Sequence, residues 1–292
     1  MKSNLFLFTG FGFLGLNLGR YFKAKKYKVS IIGKKVKFPY KTKFTSKKIR
    51  LIHKNIFNSR LMNNHDLNNS TVVLTTLNSK KKNFLEKFKN LTTTISNKKP
   101  KKIIFISSVG VYGNSRLGKI NILDQYSKNC YEAEKICKKK FANLTILRVG
   151  NIFGILRPKP GTIEKILMQY LEIKKFKFYK YETIRSYISI DEFCNIIEKT
   201  INLCDSGNTY NVTNNKFILS TKNILKFFYN HYGRKIILSR NKLSPTIKIS
   251  YIKNNKLMKK IKYNKTNNFD MEISKLENFY KKYFIKKQTY FI

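Results

Sequence analysis

Apolar positions along this chain come in short runs separated by longer mixed segments. Asn4–Thr9 (NLFLFT), Tyr27–Ile32, an Ile/Leu run ahead of Lys54, Thr71–Thr76 (TVVLTT), Lys101–Ser108 and Leu144–Val149 are rich in β-branched, aromatic and leucine side chains. Runs of this kind predict buried strands. Between them the chain predicts helices. One runs from the glycine turn through about Lys25, followed by Asn83–Asn97, Asn129–Lys140 (NCYEAEKICKKK), Ile163–Glu172, Glu192–Leu203, Ser220–Tyr232 and Ser274–Tyr283. Asn83–Asn97 shows no strong polar/apolar stripe, and Asp191 is placed to cap the helix after it. A polar loop separates SSVGVYG from the Asn129 helix. Strands alternating with helices at this spacing predict βαβ units and a parallel sheet.

The first strand runs straight into Gly10-Phe11-Gly12-Phe13-Leu14-Gly15 at the mouth of a helix. A dinucleotide needs a tight turn at Gly10, close approach of backbone to pyrophosphate at Gly12, and helix–sheet packing at Gly15. The helix N-terminus, with Phe13 and Leu14, offers free N–H groups and a partial positive charge to the phosphates. The second strand ends Gly33-Lys34-Lys35, with no acidic residue to hold the adenosine ribose of NAD. Lys34 and Lys35 either meet the 2′-phosphate of NADP or are two more lysines in a lysine-rich chain. NAD or NADP is the expected cofactor, with NADP slightly favoured.

The central stretch is KKIIFISSVGVYG, ending its strand at Ser107 and Ser108, and then the helix carrying Tyr131 and Lys135. Residues four apart share one helical face. An ammonium ~4 Å from a phenol contributes roughly 4 kcal/mol to the phenolate in a partly screened site. That is about three pK units, enough to bring a phenol from about 10 toward neutrality. With Ser108 hydrogen-bonding a substrate oxygen, Tyr131 and Lys135 could move a proton while a hydride leaves or arrives. In a chain this rich in Lys and Tyr the spacing also arises by chance.

The order strand–SSVGVYG–loop–YEAEK, together with the glycine turn, resembles the extended short-chain dehydrogenase/reductase superfamily, specifically its NAD-dependent epimerase/dehydratase branch. The resemblance runs from about residue 4 to about residue 230. It implies an α/β fold, a Rossmann-like doubly wound parallel sheet with a smaller C-terminal substrate-binding α/β portion. Residues 1–157 would form the dinucleotide-binding domain and 158–292 mostly the substrate-binding portion. Gly207–Val212 resembles a short strand returning to the smaller domain.

The resemblance assigns catalysis to Ser108, Tyr131 and Lys135, with Lys135 also anchoring a ribose. It puts Asn55 and Ile56 beside the adenine, and Thr75 and Thr76 under the dinucleotide. Asn151, in Arg148–Gly154, would reach a nucleotide-sugar substrate, and Arg185, in Arg185–Glu192, would grip its diphosphate, which an arginine does bidentately. Three departures stand out. The glycine turn is one residue shorter than usual, and Tyr179–Glu182 replaces the Tyr-Gly-Asp-Gly that usually precedes Arg185. Val109 and Gly110 stand where dehydratases carry an Asp-Glu pair, which argues against a dehydratase. The implied activity is an NAD(P)-dependent nucleotide-sugar epimerase or ketoreductase, with hydride transfer at a ring carbon, C4 first. A homodimer joined by two helices per subunit is also implied.

Composition changes the picture little. The net charge is +46, from 61 Lys and Arg against 15 Asp and Glu, and would ordinarily suggest an anionic partner. Nine of the basic residues are arginine and 52 lysine, spread along the whole chain, and Asn, Ile, Phe and Tyr are abundant. Drift toward AT-rich codons gives this pattern, so a specific nucleic-acid partner is not expected. The rival reading is a noncatalytic RNA-binding protein on the same scaffold. Four cysteines form no C-x-x-C pair, and three histidines have no metal spacing, so no metal site and a reducing, cytoplasmic setting are expected. The uncharged run Asn4–Gly19 is too short to span a bilayer.

Overall fold

The structure is a computed structural model that describes residues 4–34, 36–38, 42–43, 49–53, 66–75, 83–115, 117–179, 183–239, 249–252, 255–263 and 268–291. In chain order the first half gives β1 (Asn4–Phe8), α1 (Phe13–Ala24), β2 (Lys28–Gly33), β3 (Thr42–Lys43), β4 (Ile49–His53), β5 (Thr71–Thr75), α2 (Phe84–Asn97) and β6 (Lys102–Ser108). A 3-10 turn, Val109–Tyr112, leads on to α3 (Gln125–Lys140), β7 (Leu144–Val149), β8 (Asn151–Phe153) and α4 (Thr162–Tyr170). Then come β9 (Phe178–Tyr179), β10 (Ile184–Ser189), α5 (Ile190–Leu203), β11 (Thr209–Val212), β12 (Ile218–Ser220) and α6 (Thr221–Tyr232). The chain closes with β13 (Leu238–Ser239), β14 (Ile249–Ser250), α7 (Asn255–Lys260), α8 (Phe269–Tyr280) and β15 (Tyr290–Phe291).

Seven strands form one sheet in the order β11-β7-β6-β5-β1-β2-β4, and every neighbouring pair in it is parallel. The alternating side chains explain why the strands read as continuous apolar runs. Leu5, Leu7, Ile104 and Ile106 enter one core, whereas Phe6, Phe8, Ile103 and Phe105 enter a second on the opposite face. A period of two with both faces apolar is what a parallel sheet covered on both sides requires. Phe22 of α1 and Ile196 and Ile197 of α5 join the first core; Phe84 and Phe88 of α2 and Ala133 and Cys137 of α3 join the second. The outermost elements bring β10 against β8, β12 and β14, a small sheet beside the C-terminal ends of the large one.

Three local expectations are corrected. α2 has a clear buried stripe, Phe84, Phe88, Leu91, Thr92 and Ile95; threonines at 92–94 hide it, because their hydroxyls satisfy themselves on carbonyls one turn back. Ser189, not Asp191, caps α5, its hydroxyl accepting from the Glu192 N–H at 3.2 Å. Asp191 instead lies exposed and 3.3 Å from Lys275. β11 does not return to the smaller portion: Thr209–Val212 pairs with Ile146–Val149 and extends the central sheet.

A buried polar chain ties the central strands to α3. Ser107 donates to Glu134 Oε1 at 2.6 Å, Arg148 Nη2 lies 2.6 Å from Glu134 Oε2, and Arg148 Nη1 donates to the Tyr112 hydroxyl at 2.9 Å. Tyr112 passes its own proton to Asn211 Oδ1 at 2.8 Å. Burial opposes the charge on Arg148, but the hydrogen bond and attraction of Glu134 prevail and raise its pKa.

Candidate active site

A cavity of about 420 Å³ opens where the strand order reverses, at the C-terminal ends of β5, β6 and β7. Open α/β sheets bind ligands at this kind of position. The glycine turn supplies Phe13 and Leu14, β5 supplies Thr75, and β6 supplies Ser107 and Ser108. Gly150, Asn151 and Ile152 line it from the β7–β8 junction, Asp124, Tyr126 and Ser127 from the start of α3. Arg157 and Arg185 complete the wall. Of the residues expected from the sequence, the cavity therefore gathers Phe13, Leu14, Thr75, Ser108, Asn151 and Arg185.

Local chemistry explains their placing. Ser108 caps the 3-10 turn, its Oγ accepting from the Gly110 N–H at 3.0 Å, so its hydroxyl proton is left for an oxygen in the cavity. A Cβ on Gly110 would stand 2.7 Å from Ser127 Oγ and 3.2 Å from Ser108 Oγ, so a larger residue there would have to push the serine hydroxyls aside. Asn151 donates to the Ser186 carbonyl at 3.4 Å, and Arg185 Nη1 to the Ile184 carbonyl at 3.1 Å. Asp124 begins α3, its carboxylate accepting from the Ser127 N–H at 2.7 Å.

Tyr131 and Lys135 are not among the residues lining the cavity. α3 begins one turn earlier than predicted, and the tyrosine it presents to the cavity is Tyr126. Five residues at 3.6 per turn put Tyr131 about 140° around the helix from Tyr126. Tyr131 packs, half-buried, against the cluster of Val109, Val111, Tyr112, Cys130 and Ile252. Lys135 lies over the Tyr131 ring, 4.8 Å from its centroid, and bonds Glu132 at 2.8 Å. That hydrogen bond raises the pKa of the exposed ammonium. Four residues beyond Tyr126 stands Cys130, wholly buried.

Arg157 is the other residue the sequence reading missed. The available signal was the scarcity of arginine, which had singled out Arg185. For Tyr126 the signal was Asp124, an N-cap residue in what read as a loop.

The glycine turn fits a dinucleotide. Gly10 has φ 68°, and a Cβ on Gly15 would fall on the Gly10 carbonyl oxygen. Over Gly12 an added Cβ would meet Val36 at 3.8 Å and nothing closer, so backbone and ligand can approach. α1 has no side-chain cap and no acidic residue in its first turn, which leaves its first N–H groups to a phosphate. Lys34 is exposed just past β2. Lys35, Asn55, Ile56 and Thr76 lie outside the described residues. Among the described residues no cluster of His, Cys, Asp or Glu could hold a metal ion, and no helix is long and apolar enough to cross a membrane.

A parallel sheet wound outward in both directions from β1, with a glycine turn and a cavity at the reversal, defines a Rossmann-type dinucleotide-binding protein. The chain belongs to the NAD dependent epimerase/dehydratase family, whose model matches residues 6–214. No curated protein sequence matches it. Among solved structures it is similar to dTDP-glucose 4,6-dehydratase from Bacillus anthracis in complex with NAD, with 15% identity and a TM-score of 0.78 over 98% of this chain and 100% of that one. UDP-glucuronic acid 4-epimerase from Bacillus cereus, in complex with UDP-glucuronic acid and NAD, has 17% identity and a TM-score of 0.78 over 96% and 99%. UDP-glucose 4-epimerase from Thermotoga maritima has 14% identity and a TM-score of 0.80 over 96% and 99%. At these identities the likeness is one of fold.

Proposed function

We propose that this chain exchanges hydride between a nicotinamide dinucleotide and a ring carbon, C4, of a sugar carried on a nucleoside diphosphate. The observation that carries this reading is the convergence of Ser108, Tyr126, Asn151 and Arg185 on one cavity with Phe13 and Leu14 of the glycine turn. The dinucleotide, when bound, supplies the hydride chemistry; the rest falls to the chain. Tyr126 replaces Tyr131 as the acid/base, holding the proton exchanged with the sugar oxygen. Ser108 donates to the same oxygen. Arg185 grips the diphosphate, and Asn151 orients the sugar.

With valine at 109 and glycine at 110, the acid/base pair for removing water is missing there, which supports an epimerase or ketoreductase over a dehydratase. The exposed Lys34 favours NADP, and four buried free thiols suit a reducing cytoplasm.

The test begins with the absorbance of purified protein for bound dinucleotide. NADPH and NADH consumption is then followed with a panel of 4-keto nucleotide sugars, and interconversion of ordinary nucleotide sugars is followed without added reductant. Tyr126→Phe should lose about a hundredfold or more in rate, whereas Tyr131→Phe keeps most of it. The reverse ranking would return the chemistry to Tyr131. No binding of dinucleotide or nucleotide sugar would sink the reading altogether.

A further inference from the structure

Arg157 lines the same cavity from the loop between β8 and α4, and two backbone carbonyls hold it there. Its Nε donates to the Lys159 carbonyl at 3.1 Å and its Nη1 to the Ile152 carbonyl. Its guanidinium carbon sits 4.8 Å from the centre of the Phe13 ring, in the first turn of α1. Glu164 Oε1 lies 3.8 Å from Nη1, but that carboxylate is committed elsewhere. It accepts from the Gly154 N–H at 3.1 Å and the Gly161 N–H at 3.0 Å, pinning both ends of the Arg157 loop. Nη2, with two N–H donors, makes no hydrogen bond among the described residues.

A guanidinium held at Nε and Nη1 by backbone carbonyls, on a residue that lines the cavity, has lost much of its conformational freedom in advance. Less of that cost is left to binding. Its partner should be an anion with oxygens spaced for a planar fork. Lysine supplies most of this chain's positive charge, so an arginine held in this way is a departure from background. We propose that Arg157 is a second pyrophosphate-gripping residue of the cavity, acting together with the N-terminus of α1. The proposal rests on the functional reading above and adds a residue to it. Two ligands carry the required chemistry, the dinucleotide's own pyrophosphate and the substrate's nucleoside diphosphate.

Titration calorimetry of the full chain tests this without turnover. NADP⁺ and NAD⁺ form one arm; UDP, dTDP and GDP form the other. Arg157→Gln and Arg157→Lys are compared with the native chain and with Lys222→Gln on the outside of α6, and thermal melts accompany each. Loss of a charge-assisted fork is worth about tenfold to a hundredfold in Kd. Arg157→Gln should lose that much in one arm or both, and Arg157→Lys at least several-fold, because an ammonium cannot reproduce the fork. Weakening confined to dinucleotides assigns the grip to the cofactor, and weakening confined to nucleoside diphosphates assigns it to the substrate.

If Arg157→Gln fails to fold, the lysine variant decides. Native-like Kd values in both arms for the folded variants overturn the proposal and leave the functional reading standing. A native chain that binds neither class removes both.

Discussion

At the scale of single residues, the chemistry turns on which tyrosine faces the cavity. Tyr-x-x-x-Lys is satisfied at Tyr131 and Lys135, yet Tyr126 lines the wall and Cys130 follows it one turn later. Spacing fixes which residues share a helical face; it does not say which way that face points. A second residue-scale consequence concerns Glu192. It is buried, its Oε1 has no hydrogen-bond partner, and its Oε2 accepts from Asn214 at 2.7 Å. Burial pushes its carboxyl up to about 7 against the Asn214 hydrogen bond, with Glu272 adding repulsion. A raised carboxyl binds its proton more tightly folded than unfolded, so stability falls as pH rises from about 4.5 to about 7 and then levels. The lost contribution is on the order of 3 kcal/mol. Glu192→Gln keeps the acceptor for Asn214 and should flatten that slope and raise the melting temperature at pH 8. An unchanged pH dependence of denaturant unfolding would contradict this.

At the scale of elements, α3 is the piece on which the site depends. Its first turn carries Tyr126, its middle carries Glu134, and Asp124 starts it. Asp124→Ala should cost about 1 kcal/mol of stability, and should lower turnover by more than its effect on substrate affinity, because the frayed turn holds Tyr126. Comparable losses in both parameters would show that the cap does not position the tyrosine. The Glu134–Arg148 pair makes a sharper prediction. Arg148→Met leaves a buried carboxylate without its cation and should cost about 3–5 kcal/mol. Pairing it with Glu134→Leu should recover much of that loss in urea unfolding, since replacing both charges removes the stranded one. The strands of the central sheet other than β11 were legible to within about a residue or two, whereas the short outer strands were not. β7 is found at the expected Leu144–Val149, because a strand buried on both faces must be an unbroken apolar run. Helix starts were less legible, since a cap is one polar residue among many.

At the scale of the whole molecule, +46 charges repel one another in the folded state more than in the expanded chain. Raising salt from low values to about 0.15 M screens exposed charges beyond about 8 Å. The melting temperature should rise over that range, and nonspecific RNA affinity should fall steeply. RNA binding that persists at physiological salt, with no turnover on any keto sugar, would favour the noncatalytic reading.

The sequence alone determined the class of fold, because short doubly apolar strands alternating with helices behind a glycine turn have few ways to bury their surface. It also pointed to Ser108, Asn151 and Arg185, which lie at strand ends and line one cavity. Tertiary structure decided the rest: that β11 joins the central sheet, that Tyr126 and not Tyr131 reaches the cavity, and that Arg157 arrives beside Phe13 from a loop more than a hundred residues away in sequence. Those facts depend on the rotation of a helix and the path of a loop. Both are set by long-range packing that no local spacing encodes.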